Sequence, residues 1–167
     1  GMLERLKAEG RNTEADLVLT VDIARLDALA DEDLLQPVSS PALEANIPAQ
    51  YRHPAGPWFG LTTRARLLYV SKDRVKPGAI TRYEDLADPK WKGLICMRSS
   101  KHEYNRALLA SMIAAHGEAK AEEWARGLKA NLARKPQGND RGQVKAIMEG
   151  LCDIGIGNSY YYGQMKF

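Results

Sequence analysis

LCDIGIGNSYYYG, residues 151 to 163, is an apolar run that ends in Gly157-Asn158-Ser159 and then presents three consecutive tyrosines, Tyr160, Tyr161 and Tyr162. Asp153 to Gly157 has the length and apolar character of a buried strand, and its glycines let backbone or ligand come close where the strand stops. Open α/β sheets place ligands at strand ends. Adjacent residues on a strand point to opposite faces, so Tyr160 and Tyr161 converge only if the chain leaves strand geometry there, in a turn or the first residues of a helix. Asn158-Ser159 suits such a turn or cap. The competing reading gives each tyrosine a separate packing role: one inward, one outward, one at a loop.

Working outward, the 167 residues fit one domain or two small lobes. Apolar residues make up 44%, enough for a packed core, and no run is long enough to span a membrane. The net charge of +3 mixes 24 basic with 21 acidic side chains, and no basic block is dense enough for a nucleic-acid footprint. An anionic ligand or partner stays open. Gly1 ahead of Met2 reads as a residue left by removal of a tag, and the chain is expected to be a fragment. Cys96 and Cys152 lie in apolar strand candidates without CxxC spacing. Buried thiols are the favoured reading there, with a bridge between neighbouring strands as the alternative.

In chain order, a helix over Leu3 to Glu9 leads to a buried strand at Ala15 to Val21, with Asp22 capping a helix over Ile23 to Leu29. Five prolines make Gln36 to Gly60 a loop with one helical turn around Ala42 to Asn46. Arg66 to Val70 is a strand, Tyr83 to Gly93 a short helix and turn stopped by Pro89, and Leu94 to Met97 a second buried strand. Ser100 with Glu103 predicts a capping box for a helix to about Ala115, with Leu108, Leu109, Met112 and Ile113 as its buried stripe. A further helix runs from about Ala119 to Ala133. Asp140 is expected to cap the helix Gln143 to Glu149, which Gly150 stops. Strands alternating with helices argue for parallel strands in an α/β fold.

If those strands are parallel, the ends of Leu94 to Met97 and Asp153 to Gly157 lie on one edge. Tyr104, in the first turn of the helix leaving the former, then faces Tyr160 and Tyr161. A free phenol has a pKa near 10 and is neutral. A hard, highly charged cation favours its deprotonated form and takes oxygen donors, and three phenolates neutralise a trivalent ion such as ferric iron. The turn Arg98-Ser99-Ser100 at a helix N-terminus suits a small anion, Arg98 assisting, although plain capping is the simpler role for Ser99 and Ser100.

Enzyme motifs fail on inspection. Tyr161 stands where GxSxG needs its second glycine, Tyr160 where a dinucleotide fingerprint needs its third, and Arg106 where HExxH needs its second histidine. No nucleophile or general base accompanies the tyrosines, so an enzyme on this fold is a distant alternative.

Cys96-Met97-Arg98-Ser99-Ser100 through Tyr104-Asn105, together with Gly157-Asn158-Ser159-Tyr160-Tyr161, resemble the ferric-iron-binding proteins of bacterial iron(III) ABC importers. Ala15 to Asp22, Gly60 to Arg66, Tyr83 to Leu86 and Gly138 to Arg141 extend the likeness along most of the chain. The resemblance implies a type 2 periplasmic-binding-protein fold, α/β with parallel-rich sheets and flanking helices: a partial first lobe over 1–66, a crossover strand region at 67–71, and most of a second lobe over 72–167. It implies that Tyr160 and Tyr161 match the family's paired iron ligands and Tyr104 the third, beside carbonate or a similar synergistic anion, and it gives Tyr162 no metal role, leaving it to pack or to stand behind the ligands. It further implies a non-enzymatic, periplasmic carrier serving an ABC permease in the inner membrane. An incomplete first lobe leaves strand edges unpartnered, so self-association is expected. A small anion or organic ligand held without metal is the alternative.

Overall fold

A computed structural model describes residues 1–165 in two compact units, Gly1–Thr63 and a second from Arg64 onward. In the first unit, helices α1 (Met2–Glu9), α2 (Ile23–Ala30) and α3 (Pro41–Asn46) are joined by long irregular stretches. Asp22 caps α2 as expected, its carboxylate accepting from the Ala24 N–H at 3.3 Å. Trp58 is buried and donates its indole N–H to Asp27 at 2.9 Å.

The strand expected over Ala15 to Val21 does not form. That stretch carries no ladder, and Leu17 and Leu19 are 91% and 84% exposed. A strand exists only when a neighbour takes up its N–H and C=O groups, and within the first unit nothing does so.

The second unit is built on a three-stranded sheet in the order β1 (Arg66–Val70), β3 (Ile154–Asn158), β2 (Ile95–Cys96). β2 and β3 are parallel, as expected, through Ile95↔Ile154 and Cys96↔Gly155. β1 runs antiparallel to β3, from Arg66↔Asn158 to Val70↔Ile154, so the sheet is mixed. Apolar periodicity reports burial and is silent on where the chain enters a sheet. Every residue of β3 is buried, and Ile154 and Ile156 join Ile95, Leu86, Trp91, Leu108, Met112, Trp124 and Leu128 in one core. The helices packed on it are α4 (Glu103–His116) and α5 (Glu118–Ala130), with α6 (Asp140–Met148) on the β3 side.

Two caps differ from expectation. His102, not Ser100, is the N-cap of α4: its ring Nδ1 accepts from the Tyr104 N–H at 3.3 Å, while Ser100 lies in an exposed turn. The Asn105 amide donates to the carbonyls of Arg98 and Ser99, which holds the strand exit against the helix and moves its start two residues on. Asn139, not Asp140, caps α6, accepting from the Gly142 N–H at 2.9 Å. The buried face of α4 is Tyr104, Asn105, Leu108 and Met112, whereas Leu109 and Ile113 are exposed.

Cys96 and Cys152 form a disulfide, not two thiols. Cys152 lies two residues before β3 and Cys96 within β2, so the parallel pairing brings the two sulfurs together.

Candidate phenol and guanidinium site

After Asn158 the chain turns at Ser159 and enters α7 (Tyr160–Met165), leaving strand geometry where convergence of the tyrosines requires it. The Ser159 N–H donates to the Ala65 carbonyl and the Tyr162 N–H to the Ser159 carbonyl. A strand alone would have sent Tyr160 and Tyr161 to opposite faces; their ring centroids instead lie 4.4 Å apart and their phenols are hydrogen-bonded. Tyr104, in the first turn of α4, brings its hydroxyl to 3.4 Å from that of Tyr160. Three phenols thus gather at the adjoining C-terminal ends of β2 and β3. Tyr162 is exposed.

Behind the phenols lies a buried ionic network. Asp140 is fully buried and accepts from Arg66 Nη1 at 2.5 Å, Arg98 Nη1 at 3.1 Å and the Asn158 N–H at 3.0 Å. Arg66 also donates to Asn158 Oδ1 at 2.9 Å and to Asn105 Oδ1 at 2.7 Å. With its oxygen held by Arg66, the Asn158 amide nitrogen points to the Tyr160 hydroxyl, 3.2 Å away. Arg64, Arg66 and Arg98 lie 4.5, 5.6 and 5.2 Å from the Tyr104 ring centre, and Arg141 lies 5.2 Å from that of Tyr161.

Gly157 makes room for this arrangement. A Cβ there would stand 2.7 Å from the Tyr69 ring, whose hydroxyl donates to the Asn158 carbonyl at 2.7 Å.

The three phenols differ in acidity. Burial would raise Tyr160, but its hydrogen bonds with Tyr104, Tyr161 and Asn158 and the charge of Arg64 bring it below the ordinary phenol value. The hydrogen bond to Tyr160, then burial, push Tyr161 up to about 12. Burial, then the hydrogen bond to Tyr160, raise Tyr104. The first phenol to ionise is the central one, 40% exposed and within reach of a ligand.

Of the expected anion-binding residues, Arg98 faces the cluster, its guanidinium shared between Asp140 and the Tyr104 ring. Ser99 accepts the Lys101 N–H on its hydroxyl at 3.2 Å, and Ser100 lies instead on a groove between α4 and α5. Arg64, Arg66, Asn105, Asp140, Arg141 and Asn158 were not expected at the site. One signal was available: Asn139-Asp140 are two cap-competent residues in succession, and a helix uses one. Among the described residues no three His, Cys, Asp or Glu side chains gather as a metal site.

Residues 12–166 match the family described as bacterial extracellular solute-binding protein. Iron uptake protein A1 of Synechocystis sp. (strain ATCC 27184 / PCC 6803 / Kazusa) is 48% identical over 98% of this chain and 46% of its own length. The crystal structure of Pasteurella haemolytica apo ferric ion-binding protein A superposes with a TM-score of 0.93 at 56% identity, covering 99% of this chain and 52% of that one. A Trichodesmium protein solved in complex with iron and citrate ligands gives 0.93 at 47% identity, with the same coverage. The chain spans about half the length of the curated relatives it matches.

Proposed function

Because this chain belongs to the bacterial extracellular solute-binding proteins, we propose that it carries ferric iron as cargo, held by the phenolates of Tyr104, Tyr160 and Tyr161. The observation that carries this reading is the approach of the Tyr104 and Tyr160 hydroxyls to 3.4 Å, with Tyr161 bonded to Tyr160. Three hydroxyls so close are mutually redundant as hydrogen-bond partners. As phenolates they form one face of a coordination sphere for a hard trivalent ion. Relatives named for iron uptake and ferric binding support the cargo.

Four guanidiniums surround the phenols and one carboxylate, Asp140, lies behind them. That excess of positive charge favours an anion beside the metal, carbonate or a similar one, bound against Arg98. We take 1–66 as part of a first lobe, 67–71 as a strand crossing between lobes, and 72–167 as most of the second. Delivery would be to an ABC permease in the inner membrane, from the periplasm. The Cys96–Cys152 disulfide supports an oxidising compartment. Leu17 and Leu19, exposed on an unpaired extended stretch, support self-association of this chain; a monomer mass by light scattering at micromolar concentration would overturn that part.

Ferric nitrilotriacetate added to the purified protein should produce a visible phenolate-to-iron charge-transfer band. Tyr160→Phe with Tyr161→Phe should abolish it, and Tyr162→Phe should leave it intact. A colourless native protein, or a band surviving the double substitution, refutes the assignment.

The same guanidinium excess favours a second reading, a small anion or organic acid bound without metal. Calorimetry of the metal-free protein with bicarbonate, phosphate and sulfate separates the two, since heat of binding without iron is expected under the second alone.

A further inference from the structure

A groove of about 770 Å³ lies between α4 and α5, lined also by Arg134, Lys135 and Pro136. Its floor is the outer surface of the core, including Leu108, Trp124 and Leu128, with Leu109 exposed at its mouth. The charged side chains lining it are Arg106, Lys129, Arg134 and Lys135, all cationic. The volume is that of an organic-ligand site.

We infer that this groove binds an amphipathic organic acid, its apolar chain along the floor and its carboxylate among Arg106, Lys129 and Lys135, the Arg134 guanidinium being held by Gln143. Lining charges of one sign above an apolar floor select a ligand with a negative head and an apolar body. An extended peptide fits less well. The uncharged polar side chains lining the groove are those of Ser100 and Asn105, and the Asn105 amide is already committed to Arg98, Ser99 and Arg66. A peptide backbone laid here would leave N–H and C=O groups unpaired, whereas an alkyl chain has none to satisfy. Exposed ion pairs are individually weak. Burial of the alkyl chain therefore supplies most of the affinity, and the cations set the preference for a negative head.

The inference does not depend on the phenols binding iron. Its test is calorimetric titration of the full protein with sodium dodecanoate below its micelle concentration, beside dodecyltrimethylammonium, which has the same chain and the opposite charge. Dodecanoate should bind at least about tenfold more tightly. Arg106→Glu with Lys129→Glu, both exposed, should remove or reverse that preference. Ala125→Trp, which fills the groove, should abolish binding of both probes, and the iron band should persist in every variant that folds. Equal affinity for the two probes, no binding of dodecanoate, or a preference unchanged by the double charge reversal each overturns the proposal. The charge-reversed variant decides the matter if Ala125→Trp does not fold.

Discussion

The hydroxyl of Tyr104 stands 3.4 Å from that of Tyr160 although 56 residues of chain separate them. The parallel neighbours β2 and β3 bring this about, since each ends at the same sheet edge and is followed by a helix that carries a tyrosine in its first turn. Tyr161, next along α7, completes the group. Neighbouring strand ends thus replace sequence proximity as the means of building the site.

Iron loading should release protons and weaken in acid. Tyr161 is pushed up to about 12 and Tyr104 is also raised, so these two phenols are protonated before the ion arrives, while Tyr160 is lowered. The ion displaces those protons, and excess protons compete with it. Each unit fall in pH should weaken binding about tenfold per displaced proton, about a thousandfold for three. A pH-stat should record at least about two protons per ferric ion, those of Tyr104 and Tyr161; none or one would mean that the phenols are not its ligands.

Asp140→Asn should be strongly destabilising. The substitution leaves Arg66 and Arg98, both largely buried, without the carboxylate they share. Breaking a buried ion pair from one side costs about 3–5 kcal/mol. Urea unfolding should show that loss as a lower midpoint with an unchanged slope. A loss below about 1 kcal/mol would mean that water replaces the carboxylate at the network.

Reduction of Cys96–Cys152, or Cys152→Ser, should lower stability. The bridge closes a loop between positions 56 residues apart, for which the chain-entropy account gives about 4 kcal/mol. Thiol titration of the oxidised, denatured protein should find no free cysteine. A reduced protein that unfolds at the same urea concentration would place the stability of the second unit wholly in its core.

Gly157→Ala should disturb fold and site together. The added methyl would meet the Tyr69 ring at 2.7 Å, and that ring cannot swing aside without losing its bond to the Asn158 carbonyl. Overpacking of this kind costs about 1–3 kcal/mol. Displacing Asn158 should also weaken the charge-transfer band, whereas Gly150→Ala, strained by its positive φ but distant in sequence from the tyrosine cluster, should lower stability alone.

Much of the second unit is legible in the chain itself. Val, Ile and Leu runs located β1 and β3, and Gly150 marked a helix end with positive φ. Tyrosines at two predicted strand ends marked the candidate site, because hydroxyl-bearing rings are poor core material and their positions follow from strand direction. The stretch Ala15 to Val21 misled because its composition is that of a buried strand while nothing in the first unit pairs with it.

Sequence by itself determined the family, the α/β class and the three phenols, since burial and local turns are encoded residue by residue. Tertiary structure alone decided the antiparallel run of β1, the disulfide, and the capture of Asp140 by Arg66 and Arg98. Each of these joins groups far apart in the chain. Local pattern can say that a carboxylate is free to cap a helix; only the fold says that two guanidiniums, 74 and 42 residues away, reach it first.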